Sequence, residues 1–132
     1  MGFLLDANVV SDLVRHLQGR IADRIADIGE QHVCTGTIAA AELRYGAARK
    51  ASSRLTEQLE AILGAVEVLA VESPVDVHYG ELRARLERAG RAIGANDLLI
   101  AAHAMVLGHT LVTDNERDFS RTSDLRVENW LR

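Results

Sequence analysis

Short apolar runs alternate along the chain with longer segments whose apolar residues recur at helical spacing. A short apolar run predicts a buried strand, and a 3.6-residue period predicts a helix packed on one side. The predicted strands cover residues 3–5, 32–35, 66–71, 110–113 and, at an edge, 125–127. The predicted helices cover residues 9–17, 21–28, 38–45, 53–63, 74–89 and 97–107. This alternation predicts an α/β fold with three α/β/α layers: one domain over 1–132, with a central, mainly parallel sheet of four to five strands.

Polar residues and glycines mark where these helices begin and end. Asn8, Thr37 and Asn96 are predicted as N-caps, because a short polar side chain accepts a hydrogen bond from the first free N–H groups of a helix. Gly64 and Gly108 are predicted to end their helices. The helix that follows Asn96 is apolar almost all round, so we expect it to be buried.

Composition indicates a globular protein but argues against a nucleic-acid partner. Of the 132 residues, 48% are hydrophobic, and the net charge is −4, whereas nucleic-acid-binding domains are usually basic. The single cysteine, Cys34, excludes an intrachain disulfide. The first residues lack a signal-peptide pattern, and the longest apolar stretch, 98–108, is too short to span a bilayer. We therefore expect a cytoplasmic protein without a membrane partner.

Four carboxylates are candidates for chemistry. Asp6 directly follows the first predicted strand and Asp114 the fourth, and open parallel sheets bind ligands beyond the carboxyl ends of their strands. Asp97 lies in the first turn of the most apolar helix, where a buried carboxylate needs a partner. Glu42 lies one turn into its helix, among small apolar residues. Each also has an ordinary structural explanation, as a helix-start, turn or solvated helix residue.

Convergence of these four carboxylates would create a metal site. Their mutual repulsion then requires a cation, and ligands that are all oxygen favour Mg²⁺, with Mn²⁺ as a substitute, over zinc. Such a cluster holds divalent ions against a phosphodiester and activates a water molecule. The four acids together equal the net charge of −4. The acidic balance then reflects a metal site, and phosphate binding falls to the arginines and the metal.

Four segments, in this order along the chain, carry a resemblance to a known family. They are LLDAN (4–8), AELRYG (41–46), IGANDLLIAAHA (93–104) and LVTDN (111–115). On these segments the chain resembles the PIN-domain ribonucleases, specifically the VapC toxins of bacterial toxin–antitoxin modules, over essentially its whole length. The resemblance implies a magnesium-dependent endoribonuclease that acts on structured RNA such as transfer or ribosomal RNA. It also implies a homodimer and a small VapB-type antitoxin that binds DNA.

The resemblance also assigns site residues by position. The family's first three acidic positions fall on Asp6, Glu42 and Asp97, with metal binding resting chiefly on the first and third. The fourth family position falls on Asn115, with Asp114 beside it and Asp118 a little later in the chain. We expect Asp6 and Asp97 to hold the principal ion, Glu42 to complete its shell or orient a water, and Asp114 or Asn115 to close the site. Arg44 and Arg117 are candidates for holding neighbouring phosphates.

Two other functions are consistent with parts of this pattern. A catalytically silent binding module would keep the PIN fold, although intact Asp6, Glu42 and Asp97 argue against it. An aspartate-based phosphotransfer or phosphatase enzyme of the haloacid-dehalogenase or receiver type also places an aspartate after its first strand. That chemistry needs a second acid nearby and a late lysine, whereas Asn8 takes the second position and no lysine follows Lys50.

Overall fold

A computed structural model describes residues 2–122 and 124–132, and within them one parallel sheet is flanked by seven α-helices. Met1 and Ser123, which belong to the predicted span 1–132, lie outside the described residues. The strands are β1 (Phe3–Leu5), β2 (Val33–Gly36), β3 (Glu67–Leu69), β4 (Thr110–Val112) and β5 (Val127–Glu128). The helices are α1 (Ala7–Arg15), α2 (Arg20–Ile28), α3 (Thr37–Lys50), α4 (Ser53–Ala65), α5 (Val75–Arg88), α6 (Ala95–Leu107) and α7 (Glu116–Phe119), and a 3-10 turn spans Glu30–His32.

The sheet has the strand order β3-β2-β1-β4-β5, and all four pairings are parallel. The predicted three-layer α/β/α fold with four to five strands is therefore confirmed, with five strands. Because the strands are parallel, their carboxyl ends meet at one edge. Leu5 pairs with Val112 there, and the N–H of Asp6 donates to the Val112 carbonyl at 2.9 Å. The residues that follow β1 and β4 thus leave the sheet side by side.

Two apolar clusters, one on each face of the sheet, hold these strands in place. Successive strand residues point to opposite faces, so Leu4 joins one cluster and Leu5 the other. Helices α1 to α4 bury apolar residues in the cluster that contains Leu5. Helices α5, α6 and α7 bury theirs in the cluster that contains Leu4. The end of β1, next to Asp6, and the start of α6, which carries Asp97, are therefore fixed by packing on both faces of the sheet.

Helix α6 is the most buried helix of the fold, as its apolar sequence predicts. Six of its residues are buried, among them His103. The imidazole of His103 faces Gly36 so closely that a Cβ at position 36 would lie 2.8 Å from His103 Nδ1. Glycine at the end of β2 therefore allows α6 to approach the sheet. Within the described part of the chain, no helix has the length and apolar character needed to cross a membrane.

Several predicted helix boundaries are wrong. The N-cap of α1 is Asp6, whose carboxylate accepts from the N–H of Ala7 at 2.7 Å, so Asn8 lies inside the helix. The N-cap of α6 is Gly94, and Asn96 is the second residue of that helix. Neither side chain caps its helix. The Asn8 amide contacts Thr113, and the Asn96 amide contacts Glu42.

Two further errors concern residues that were predicted to begin or end a helix. Helix α3 is preceded by Gly36 as its N-cap, so Thr37 is its first residue. Helix α4 continues through Gly64 to Ala65, because a glycine in a helix weakens it without ending it.

Phe119 tests the cluster beneath α6 and α7. Its ring is fully buried, and we expect Phe119→Ala to lower the free energy of unfolding by about 3–5 kcal/mol, because the cavity adds to the lost burial. Val77, which is 52% exposed on α5, provides the control, and Val77→Ala should change stability by no more than about 0.5 kcal/mol. Urea denaturation measures both, and equal losses would contradict this packing.

Candidate active site

Asp6 is the most buried carboxylate at the carboxyl edge of the sheet, with only 4% of its surface exposed. One oxygen accepts from the Ala7 N–H at 2.7 Å. The other accepts from the Thr113 hydroxyl at 2.8 Å and more weakly from the Asn8 amide at 3.4 Å. Burial raises the pKa of Asp6, and these hydrogen bonds offset that rise only in part. The carboxylate is therefore held in one orientation, but its negative charge is poorly solvated.

Thr113 fixes the position of Asp6 from the neighbouring strand. Its buried hydroxyl donates to Asp6 and accepts from the backbone N–H of Asn115 at 3.0 Å. The Asn8 amide also lies 3.4 Å from that hydroxyl. Sequence reasoning missed Thr113 and Asn8 as residues of the site. Their positions could have indicated this role. Thr113 directly follows β4 and Asn8 comes shortly after β1, the two strands that precede candidate acids.

Glu42 approaches from α3, in the second turn of the helix. Its side chain is exposed, and Asn96 Nδ2 lies 3.5 Å from Glu42 Oε2. Partial desolvation raises the pKa of Glu42, the Asn96 contact lowers it, and the negative charge of Asp6 adds a further rise. Asn96 therefore links α6 to the carboxylate of α3.

Asp97 is the carboxylate whose pKa is raised by the largest number of neighbouring negative charges in this site. It lies in the first turn of α6 and is only partly exposed. The pKa of Asp97 is raised to about 6. Burial is the largest cause, and the negative charges of Asp6, Glu42 and Asp118 add to it. The fold thus brings together carboxylates from the β1–α1 junction, α3 and α6. These are the first three acids that the sequence singled out.

The segment after β4 contributes its acids differently from the first expectation. Asp114 is exposed, and its charge raises the pKa of Asp6 but is absent from the charges that act on Asp97. Asn115 is turned towards Asp118, with its Nδ2 donating to a carboxylate oxygen at 3.1 Å. Asp118 therefore provides the negative charge from this segment that reaches Asp97. The identity of a fourth ligand stays a prediction, and this geometry favours Asp118.

The two candidate arginines lie in different surroundings. Arg44 forms two hydrogen bonds with the carboxylate of Glu60 on α4, each 2.9 Å long. Arg117 is exposed on α7, one residue before Asp118. Of the two, Arg117 is the nearer in sequence to the acidic residues, and the guanidinium of Arg44 is committed to an ion pair.

The chemical type of the candidate ligands suits a hard divalent cation. All of the side chains concerned present carboxylate oxygens, and the pKa of Asp6, Glu42 and Asp97 is raised in each case. Within residues 2–122 and 124–132, no three His, Cys, Asp or Glu side chains already stand as a ready metal-binding group.

Comparisons with known proteins agree with this fold. The family model for the PIN domain matches residues 3–125. The tRNA(fMet)-specific endonuclease VapC of Shigella flexneri is 31% identical over 129 residues, covering 97% of both chains. Ribonuclease VapC2 of Haemophilus influenzae strain Rd is 34% identical over 130 residues, covering 98% of both.

Solved structures show the same relationship in three dimensions. The VapBC2 complex of Rickettsia felis, bound to a DNA fragment from its promoter, contains a similar chain with a TM-score of 0.89 and 31% identity. The match covers 98% of this chain and 99% of that one. DNA-bound VapBC of Salmonella typhimurium gives a TM-score of 0.87, 32% identity and 98% coverage of both chains. The chain therefore belongs to the PIN-domain family and, within it, to the VapC ribonucleases.

Asp97 allows a test of the charge repulsion that needs no substrate. Because the pKa of Asp97 rises from 3.8 to about 6 on folding, its ionisation opposes folding fully above pH 6 and not at all below pH 3.8. Solvent screening and the favourable helix N-terminus reduce this penalty, so we expect Asp97→Asn to raise the free energy of unfolding by about 1 kcal/mol at pH 7.5.

Urea denaturation in EDTA measures this effect, and the gain should shrink as the pH falls from 6 towards 4. Asp23→Asn serves as the control, because Asp23 is an exposed carboxylate in the first turn of α2. A gain that does not change with pH would contradict the assignment of the pKa shift to Asp97.

Proposed function

We propose that this chain is the metal-dependent endoribonuclease toxin of a type II VapBC toxin–antitoxin pair. The observation that carries the proposal is the convergence of Asp6, Glu42 and Asp97 from three elements at one sheet edge, where the first two charges act on the third carboxylate. Membership of the VapC ribonucleases supports the reaction class, which is hydrolysis of an RNA phosphodiester bond. The intact set of acids argues against the alternative of a silent binding module.

Mg²⁺ is the proposed cofactor, and Mn²⁺ the substitute. Asp6 and Asp97 would hold it, with Glu42 and one of Asp118, Asn115 or Asp114 completing the set. When bound, the ion supplies an activated water and offsets the charge that develops on the phosphate. Oxygen donors and unrelieved repulsion among the acids support this choice.

The residues of the chain prepare the site in three ways. Thr113 and the Ala7 N–H orient the two oxygens of Asp6, so little reorganisation is needed when the site is used. Asn96 contacts the more exposed Glu42, whose proposed role is to orient the attacking water. Asp97 must lose its proton to hold a cation, so we expect the affinity for Mg²⁺ to fall as the pH drops below about 6.

The proposed partners are an RNA substrate, a VapB-type antitoxin and a second copy of the chain. Transfer RNA is the favoured substrate class, since two of the relatives are tRNA(fMet)-specific endonucleases, and ribosomal RNA is the alternative. The antitoxin is supported by similar chains solved as VapBC complexes. The homodimer and the cytoplasmic location follow from the family resemblance, and light scattering of the purified chain tests the dimer.

Cleavage of RNA by the purified chain is the decisive experiment. We expect incubation with total cellular RNA to produce new ends in Mg²⁺ and none in EDTA. Asp6→Asn should lower the cleavage rate by about 100-fold or more, because charge stabilisation at the reacting phosphate depends on this carboxylate. Asp23→Asn, which changes an exposed carboxylate on α2, should cleave like the parent chain.

Mapping the new ends identifies the substrate and the cut site. Full activity in folded Asp6→Asn would refute the assignment of the site. A folded parent chain that cuts no RNA in Mg²⁺ would instead favour the binding module.

A further inference from the structure

Helix α3 carries a second set of residues along the same side as Glu42. Tyr45, Gly46 and Arg49 follow Glu42 at spacings of three, four and seven, which places them on one face of the helix. Tyr45 is one of the few large apolar side chains exposed among the described residues, at 66%. The guanidinium carbon of Arg49 lies 5.7 Å from the centre of the Tyr45 ring. An exposed aromatic with a cation beside it thus stands one helical turn from a candidate catalytic acid.

A groove of about 240 Å³ continues from Glu42 between α1, α3 and α4. Its walls are largely apolar and include Leu43, Leu55 and Leu59. Arg15, Arg49 and Lys50 also line it, so three cations stand against the single carboxylate of Glu42. The groove is therefore positive next to an edge of the protein that is strongly negative.

These cations are not neutralised by the chain itself. In the part of the chain that the structure describes, no carboxylate lies within 4.0 Å of Arg15, Arg49 or Lys50. Arg44, on the same helix, shows the contrast, because its guanidinium is paired with Glu60. Exposed, uncompensated cations beside an aromatic ring are what an anionic ligand with flat rings requires.

Gly46 leaves bare backbone between Glu42 and the cations. A glycine inside a helix is unfavourable relative to other residues, so its presence needs a reason. Nothing lies within 4 Å of a Cβ built at position 46, which means that packing within this chain does not require glycine there. The open position would let a ligand approach α3 closely.

We propose that Tyr45, Arg49 and this groove bind a nucleotide of single-stranded RNA that flanks the cleaved phosphodiester. The base stacks on the ring of Tyr45, and Arg49, with Arg15 and Lys50, holds the adjoining phosphates. Single-stranded RNA is recognised by aromatic stacking together with a positive groove, and this surface offers both beside the acids. The proposal rests on the proposed ribonuclease function and adds to it the residues that position the substrate.

Binding of a short fluorescein-labelled single-stranded oligoribonucleotide in Mg²⁺, measured by anisotropy, tests the two contacts separately. The full-length chain carries Asp6→Asn so that the probe stays uncut. We expect Tyr45→Leu to weaken binding by about 5- to 100-fold, and Tyr45→Phe to keep it, because the ring face does the stacking. We expect Arg49→Gln to reduce the slope of log affinity against log salt by about 0.7, as for one lost phosphate contact, whereas Tyr45→Leu leaves the slope unchanged.

Helix α5 provides matched controls for both changes. Tyr79 and Arg83 have the same spacing of four, but Arg83 is bonded to the Tyr79 hydroxyl and to Glu87. Tyr79→Leu and Arg83→Gln should therefore leave the affinity for the probe and its salt dependence as they are in the parent chain.

Gly46 gives a test that loss of stability cannot mimic. Gly46→Leu should raise the melting temperature, because leucine favours a helix, while weakening binding of the same probe by blocking the approach to α3. Gly80 on α5 has equally open surroundings. Gly80→Leu should raise the melting temperature similarly and bind the probe like the parent chain.

The outcomes separate this proposal from the proposed function, since binding is measured without cleavage. If the unmodified chain cuts RNA, while Tyr45→Leu, Arg49→Gln and Gly46→Leu all bind the probe normally, the nucleotide subsite is refuted and the ribonuclease stands. If these variants bind RNA normally but lose binding of an acidic amphipathic peptide, the groove is a peptide site and the proposal is overturned. Absence of cleavage in the unmodified chain refutes the ribonuclease itself.

Discussion

Repulsion among carboxylates held at one edge of a parallel sheet is the constraint on which this structure depends. Asp6, Glu42 and Asp97 come from separate elements. In addition to burial, the charge of Asp6 raises the pKa of Glu42, and the charges of Asp6 and Glu42 raise the pKa of Asp97. Nothing local favours such a grouping, so the fold must impose it. It does so with two apolar clusters that clamp β1 and β4 from both faces, and with a hydrogen bond from Thr113 to Asp6 between the two strand ends. Packing of the two clusters thereby offsets the electrostatic cost of holding these carboxylates close together.

The surface around this edge is divided by charge. The acids lie around the carboxyl edge of the sheet, while the cations that line the neighbouring groove lie along α1 and α3. Glu42 belongs to both regions, and a helix that carries it also carries Tyr45 and Arg49. A protein with a net charge of −4 can therefore present a positive groove, because charge acts over distances of about 10 Å and not as an average over the chain.

The sequence predicted the fold and the first three acids because both leave periodic or positional signals. Apolar runs and helical spacing mark the strands and helices, and Asp6, directly after a parallel strand, must lie at the carboxyl edge. Glu42 and Asp97 lie on helices, and the order of the family's segments assigns them. The roles of Asn8 and Asn96 were not predictable, because their partners, Thr113 and Glu42, are far away in sequence. The same holds for Arg44 and Arg49. Both are exposed arginines on one helix, and only the position of Glu60 on α4 distinguishes the paired one from the other.

The order of the strands also has a consequence for folding during synthesis. Strand β1, at the centre of the sheet, is the first to be synthesised, and its neighbour β4 comes more than a hundred residues later. At ordinary rates of translation, the Thr113 hydroxyl reaches the ribosome's exit on the order of ten seconds after Asp6. The acidic edge stays incomplete throughout that interval. The centre of the sheet, where β1 pairs with β4, is therefore completed only late in synthesis.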